Sequence, residues 1–175
     1  SGFFLQEVCV CKYIGLFYFT MERFSEAQTY LERFQSIEDN EVSFYNDNLN
    51  ASSLLLDVLK KEADFDSREA IQLFEQLDFS MVRSGVASAI TMIILNNPDI
   101  ANCEAEFWIK KSFEIDTKAD LKIRMAFTHW HYSKFFIQEN NLPQAQEQMN
   151  KAIDTMKECG ADGWVERYEK ELAEL

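Results

Sequence analysis

Alanine recurs near the start of every second predicted helix, and this recurrence constrains the fold more than any other feature of the sequence. The separations between successive copies are 43, 35 and 40 residues, for Ala27, Ala70, Ala105 and Ala145. A small side chain at one point in each pair of helices lets neighbouring helices approach closely, while larger side chains fill the space beside it. The spacing therefore predicts about four helical hairpins in succession.

Helical periodicity and helix-ending residues agree with this arrangement. Apolar residues recur three and four positions apart, which predicts helices over residues 81–95 and 120–138. Pro143 stands in the first turn of the next predicted helix, and Gly160 is a natural left-handed residue at its end. A final polar helix is predicted over residues 164–172. Because the chain has only five glycines and two prolines, a turn-rich β fold is disfavoured and an all-α fold is expected.

The composition bounds the domain organisation and the partners. A chain of 175 residues, 47% of them apolar, can bury a real core, and we expect a single domain over residues 1–175. Ser1-Gly2 resembles a tag-cleavage scar, so this domain is expected to be a piece of a larger protein. The net charge of -13 disfavours a nucleic-acid partner, and charges interrupt every apolar run before it reaches membrane-spanning length. We expect a cytoplasmic location without a membrane partner.

The sequence lacks the residue patterns that support catalysis or metal binding. It contains no phosphate-binding loop, zinc-protease motif, nucleophile elbow or calcium loop. The spacings Cys9-x-Cys11 and His129-x-His131 differ from the usual zinc knuckle, and the four cysteines are expected to be reduced thiols. The two histidines are the only near-neutral bases, and neither accompanies an evident nucleophile. We therefore expect no metal, no cofactor and no enzymatic activity.

The first and last hairpins resemble the tetratricopeptide-repeat (TPR) family. Counted back from Ala27, Gly15 falls at the small-residue position of the first helix, and Tyr18 follows three residues later. The last hairpin has residues in corresponding roles: Tyr132, Ser133, Phe136, Leu142, Ala145, Met149 and Ala152. The two middle hairpins depart from the pattern, because Val58 and Ile93 stand at the small position. The resemblance implies a right-handed α-α superhelix, a TPR-like solenoid of about four hairpins with a C-terminal capping helix.

Residues 156–164 are similar to the end of the helical-repeat arrays attached to bacterial signalling ATPases, adenylate cyclases and LuxR-type regulators. In those arrays a repeat helix is followed by a glycine turn and then by an acidic helix that begins with an aromatic residue. The similarity implies a sensory or regulatory module, since the catalytic and DNA-binding parts of such proteins do not occur in this chain.

The TPR resemblance also implies a binding surface, the concave face that is lined by the first helix of each hairpin. The first hairpin would contribute Lys12, Tyr13, Leu16 and Phe19. The fourth would contribute Phe127, Trp130, His131 and Lys134. The middle hairpins would add Leu55, Leu56, Leu59, Ile90, Thr91 and Ile94. Such an apolar and aromatic face is typical of a peptide or ligand site, and burial as core beneath neighbouring repeats is the alternative interpretation.

One TPR subtype, which clamps the C-terminal carboxylate of its partner, is disfavoured. Lys12 matches the first basic position of that subtype, but Leu16 and Leu59 stand where it requires Asn. Ala87 and Thr91 replace its second basic pair. An amphipathic helix or an apolar ligand is then the more suitable occupant of the face.

These features favour a non-catalytic interaction or effector-sensing module of a larger bacterial signalling or regulatory protein. Its partner would be a protein or peptide, or an adjacent domain of the same chain, bound on the concave face. A structural spacer or homo-oligomerisation segment without a separate ligand is the first alternative. An enzyme with His129 or His131 as its base is the second.

Overall fold

The computed structural model describes residues 80–96 and 102–175, together with short helical pieces at residues 15, 18, 26, 28–30, 32–33 and 74–75. Everything described is helix or the turn between two helices, and no strand occurs within these ranges, so the expected all-α class is confirmed there. The chain contains two compact units, Ser1–Ala89 and Ile90–Leu175. In the first unit the rings of Tyr18 and Tyr30, predicted on the two helices of the first hairpin, stack with centroids 5.5 Å apart.

Five helices follow one another in the continuously described part of the chain. Their bounds are α1 Ser80–Asn96, α2 Asn102–Lys118, α3 Lys122–Gln138, α4 Leu142–Glu158 and α5 Asp162–Ala173. The helices predicted over 81–95, 120–138 and 164–172 correspond to α1, α3 and α5, with ends that agree to within two residues. Pro143 lies in the first turn of α4, as expected, and the side chain of Asn141 caps that helix.

The three turns that join α2 to α5 have the same geometry. Each has a left-handed residue at its centre, and these residues lie 20 positions apart: Asp120 at φ 52°, Asn140 at φ 55° and Gly160 at φ 67°. In each turn the next N–H (Leu121, Asn141, Ala161) donates to the carbonyl five residues back (Asp116, Phe136, Met156) at 2.9, 2.8 and 3.0 Å. This hydrogen bond closes a helix end around a left-handed residue. A full hairpin therefore takes 40 residues, which is longer than the TPR period of about 34.

Consecutive helices pack against each other, α2 on α3, α3 on α4 and α4 on α5. The turns are too short for anything but antiparallel neighbours. Ala105 and Ala145, two of the recurring alanines, are completely buried, as their predicted packing role requires. The core around α3, α4 and α5 consists of Ala126, Phe127, Trp130, Met149, Ala152, Ile153, Met156, Val165 and Tyr168.

In helix α1 every residue from 86 to 95 is buried, and most of these residues are apolar. A helix of this composition is stable only when other elements surround it. Its C-terminal end is joined to the end of α3, because the Gln138 side-chain amide donates to the carbonyl oxygen of Leu95. Of the helices in the described part of the chain, none has both the length and the apolar character needed to cross a membrane.

Candidate functional site

The face residues predicted from the fourth hairpin all lie on α3, and their exposure differs sharply. Phe127, Trp130 and His131 are buried, with 9%, 2% and 4% of their surface exposed. The Lys134 side chain keeps 38% of its surface. Three face residues predicted from the middle hairpins are buried as well: Ile90, Thr91 and Ile94. The remaining predicted face residues lie outside the described residues: Lys12, Tyr13, Leu16, Phe19, Leu55, Leu56 and Leu59.

Helix α5 is the element that covers Phe127 and Trp130, two of the aromatic residues of α3. The Trp130 ring stacks on Tyr168 with centroids 5.7 Å apart and an interplanar angle of 14°. Trp164 meets Phe127 edge-on at 4.8 Å. These ring contacts remove both α3 residues from solvent. In this conformation Phe127 and Trp130 are core side chains.

A single carboxylate joins α3 to α5 beside these rings. Oε2 of Glu171 accepts hydrogen bonds from Trp130 Nε1 at 2.8 Å and from Lys134 Nζ at 2.9 Å. Its Oε1 accepts from Arg167 Nε at 3.0 Å. Burial raises the pKa of Glu171, but the three donors outweigh this effect and the net pKa lies below the usual range. The carboxylate is therefore ionised near neutral pH and is held from three directions. We call Trp130, Lys134 and Arg167 the donor triad.

Both cations of the donor triad also lie over aromatic rings. Lys134 Nζ is 5.3 Å from the centroid of Trp130, and the Arg167 guanidinium is 5.2 Å from the centroids of both Trp130 and Trp164. A cation over an indole face is attracted by the quadrupole of the ring. The rings thus fix the direction from which the two cations approach Glu171, so the donor triad is ordered by packing as well as by charge.

The two histidines of α3 are neutral and are held by packing. Burial, together with the positive charges of Arg124 and Lys134, lowers the pKa of His131 to about 3. Burial also lowers the pKa of His129, against the opposing effect of a 2.7 Å hydrogen bond between its Nδ1 and Gln148. The buried imidazole of His131, with its pKa far below neutral, is suited to a packing role more than to proton transfer.

A buried polar network connects α2 to α3. Thr128 Oγ1 donates to Asp116 Oδ2 at 3.0 Å, and Ser112 Oγ lies within hydrogen-bond distance of both groups, at 3.3 Å from Asp116 and 3.1 Å from Thr128. Nearby, burial lowers the pKa of Arg124, while the negative charge of Asp116 opposes that effect. All three network residues are almost fully buried, so the network fixes how α2 and α3 meet.

Sequence reasoning did not identify Asp116, Arg167 or Glu171 as structurally important. In an acidic chain, no sequence feature distinguishes a carboxylate that will be buried from the many that are exposed on helix surfaces. The only local signals are the helical spacings of Ser112 with Asp116 and of Arg167 with Glu171, each four residues apart. Within the described ranges, no group of three or more His, Cys, Asp or Glu residues could hold a metal ion.

In the described part of the chain, helix α5 is bound to α3 by aromatic stacking and by one carboxylate that accepts from three donors. The sequence matches no protein-family model, and no curated protein is significantly similar to it.

Proposed function

We infer that the chain is a non-catalytic protein-interaction or effector-sensing module. It would be a TPR-like, right-handed superhelix of about four hairpins in which α5 is the capping helix. The uniform turns at Asp120, Asn140 and Gly160 support repetition, because identical turns every 20 residues give successive helices the same relation. The polar outer side of α5, with Glu166, Glu169 and Lys170 exposed, supports the capping role.

The donor triad is the observation that carries the interaction function. Trp130 and Lys134 were predicted on the binding face from sequence, and both engage a helix, α5, through ring stacking and a carboxylate. This is the chemistry with which a helical groove recognises an amphipathic helix. The proposed partner is therefore an amphipathic segment of another protein or of an adjacent domain. The proposal includes no nucleic acid, membrane or cofactor.

The setting we propose is a larger bacterial signalling or regulatory protein of the cytoplasm. The similarity of residues 156–164 to the ends of such helical arrays supports this setting. In the structure a turn with Gly160 at its centre is followed by a helix that has Trp164 in its first turn. A module of this kind would transmit partner binding to neighbouring domains through the packed helices.

Selection from a displayed library of amphipathic 15-residue helices would test the function. We expect selected helices to bind the wild-type chain, and Tyr13→Ala and Lys134→Glu each to weaken binding about tenfold or more, as expected for an interface anchor. Lys170→Glu is the matched control, because Lys170 is exposed on the outer side of α5. Equal binding by all four chains would contradict the proposed face.

A further inference from the structure

The donor triad has the properties of a binding site that its own chain occupies. An indole N–H, an ammonium and a guanidinium converge on one carboxylate, all within 3.0 Å. The site is open to solvent on one side, because 38%, 32% and 21% of the side-chain surface is exposed at Lys134, Arg167 and Glu171. Planar and point-charge donors of this kind bind carboxylates strongly when aromatic packing orients them in advance.

Helix α5 is anchored by residues other than Glu171. The helix is held by other residues, since Tyr168 is completely buried and Val165 almost completely. Rotation of the Glu171 side chain into water would release its carboxylate and leave the indole of Trp130 and both cations in position. Arg167 would stay, because it lies on the same anchored helix. The stacking of Trp130 on Tyr168, and the placement of both cations over the Trp130 ring, are contacts that do not involve Glu171.

We propose that the donor triad is a receptor for an acidic side chain on a partner helix, and that Glu171 is the internal competitor that fills it in the free chain. This inference rests on the proposed interaction function and specifies the chemistry of the partner at this end of the face. Two cations in the site select a carboxylate over the neutral amide of glutamine. Competition within the chain keeps the affinity for a partner moderate, because the partner must displace a carboxylate that is always present.

Removal of the competitor tests the proposal. The probe is an acetylated, amidated alanine-rich helical peptide with one central glutamate, and its control is the same peptide with glutamine. The indole N–H resonance of Trp130, assigned with Trp130→Phe, reports binding. We expect Glu171→Ala to bind the glutamate peptide about tenfold more tightly than wild type, since each charge-assisted hydrogen bond is worth about this factor. Glu171→Gln, which keeps the side-chain shape, is expected to give a smaller gain in the same direction.

Two control variants distinguish binding at the donor triad from an effect of net charge on peptide affinity. Glu166→Ala removes one exposed negative charge from α5, and Lys170→Ala removes one exposed positive charge. Both are expected to leave peptide affinity within about twofold of wild type, because exposed charges interact weakly through water. Adding Lys134→Ala to Glu171→Ala or to Glu171→Gln is expected to abolish the gain.

The measured peptide affinities either support or overturn the proposed receptor. Unchanged affinity in Glu171→Gln, or equal binding of the glutamate and glutamine peptides, would overturn the proposal. Binding of acetate without binding of the glutamate peptide would also overturn it, since the site would then accept a small anion and not a partner side chain. If the helix library yields no binder while Glu171→Ala gains glutamate-peptide affinity, the receptor stands and the proposed module function fails.

Discussion

Acidification should destabilise the folded chain through His131. This imidazole is 4% exposed, and burial with the charges of Arg124 and Lys134 lowers its pKa to about 3. In the unfolded chain its pKa is about 6.5. The unfolded state therefore binds more protons than the folded state below pH 6.5. The free energy of unfolding therefore falls as the pH is lowered from about 6.5 towards 3. Above pH 6.5 this imidazole has no effect on it.

The size of the effect follows from the difference between the two pKa values. At pH 5.5 the unfolded imidazole is protonated about ten to one, while the folded one stays neutral, so the free energy of unfolding falls by about 1.4 kcal/mol relative to pH 7.5. Below pH 5.5 the slope approaches about 1.4 kcal/mol per pH unit. Ordinary carboxylates titrate nearer pH 4, outside the interval from 7.5 to 5.5.

Urea unfolding followed by tryptophan fluorescence measures this change. The chain has three tryptophans, Trp108, Trp130 and Trp164, and all lie in the second unit. The fluorescence signal therefore reports on the unit that contains His131. His131→Gln is expected to remove about 1.4 kcal/mol of the difference between pH 7.5 and 5.5. His129→Gln should remove less, because its hydrogen bond to Gln148 opposes the lowering of its pKa.

Proton NMR offers a direct check, since the chain contains only two histidines. We expect the ring resonances of His131 to remain unchanged from pH 8 to about 5 while the chain is folded. A midpoint near 6.5 for His131, or a pH dependence of stability that is undiminished in His131→Gln, would refute the burial argument.

Three further predictions use the same urea assay at pH 7.5, with the exposed-site variant Glu166→Ala as the control that should change little. Glu171→Ala should cost about 1–3 kcal/mol, because Trp130 loses the acceptor of its buried N–H, and an unchanged midpoint would mean that this bond adds nothing. Gly160→Ala should cost about 1 kcal/mol through its left-handed backbone alone, since an added Cβ meets no atom within 4 Å. Thr128→Val should cost about 1–3 kcal/mol, because it preserves the shape but removes the hydroxyl that donates to buried Asp116; a neutral result would contradict the network.

The helices and most of their ends were predictable because the signals are local. Apolar spacing, Pro143 and Gly160 act within one or two turns of the chain, so they report helix bounds without knowledge of the fold. The turn centred on Asp120 was missed, and α3 begins at Lys122 instead of residue 120. An aspartate can adopt the left-handed conformation but does not require it, so the sequence carries no clear mark there.

The sequence by itself determined a succession of helices with small residues at recurring packing positions, because periodicity and turn chemistry are properties of neighbouring residues. Only the tertiary structure decided which of the predicted face residues are covered. Trp130 and Glu171 are 41 positions apart, and their contact exists because α5 folds back over α3. Burial and hydrogen bonding then gave Asp116, His131 and Glu171 environments that differ from those of other polar residues on the same helices, since such environments depend on atoms that are distant in sequence.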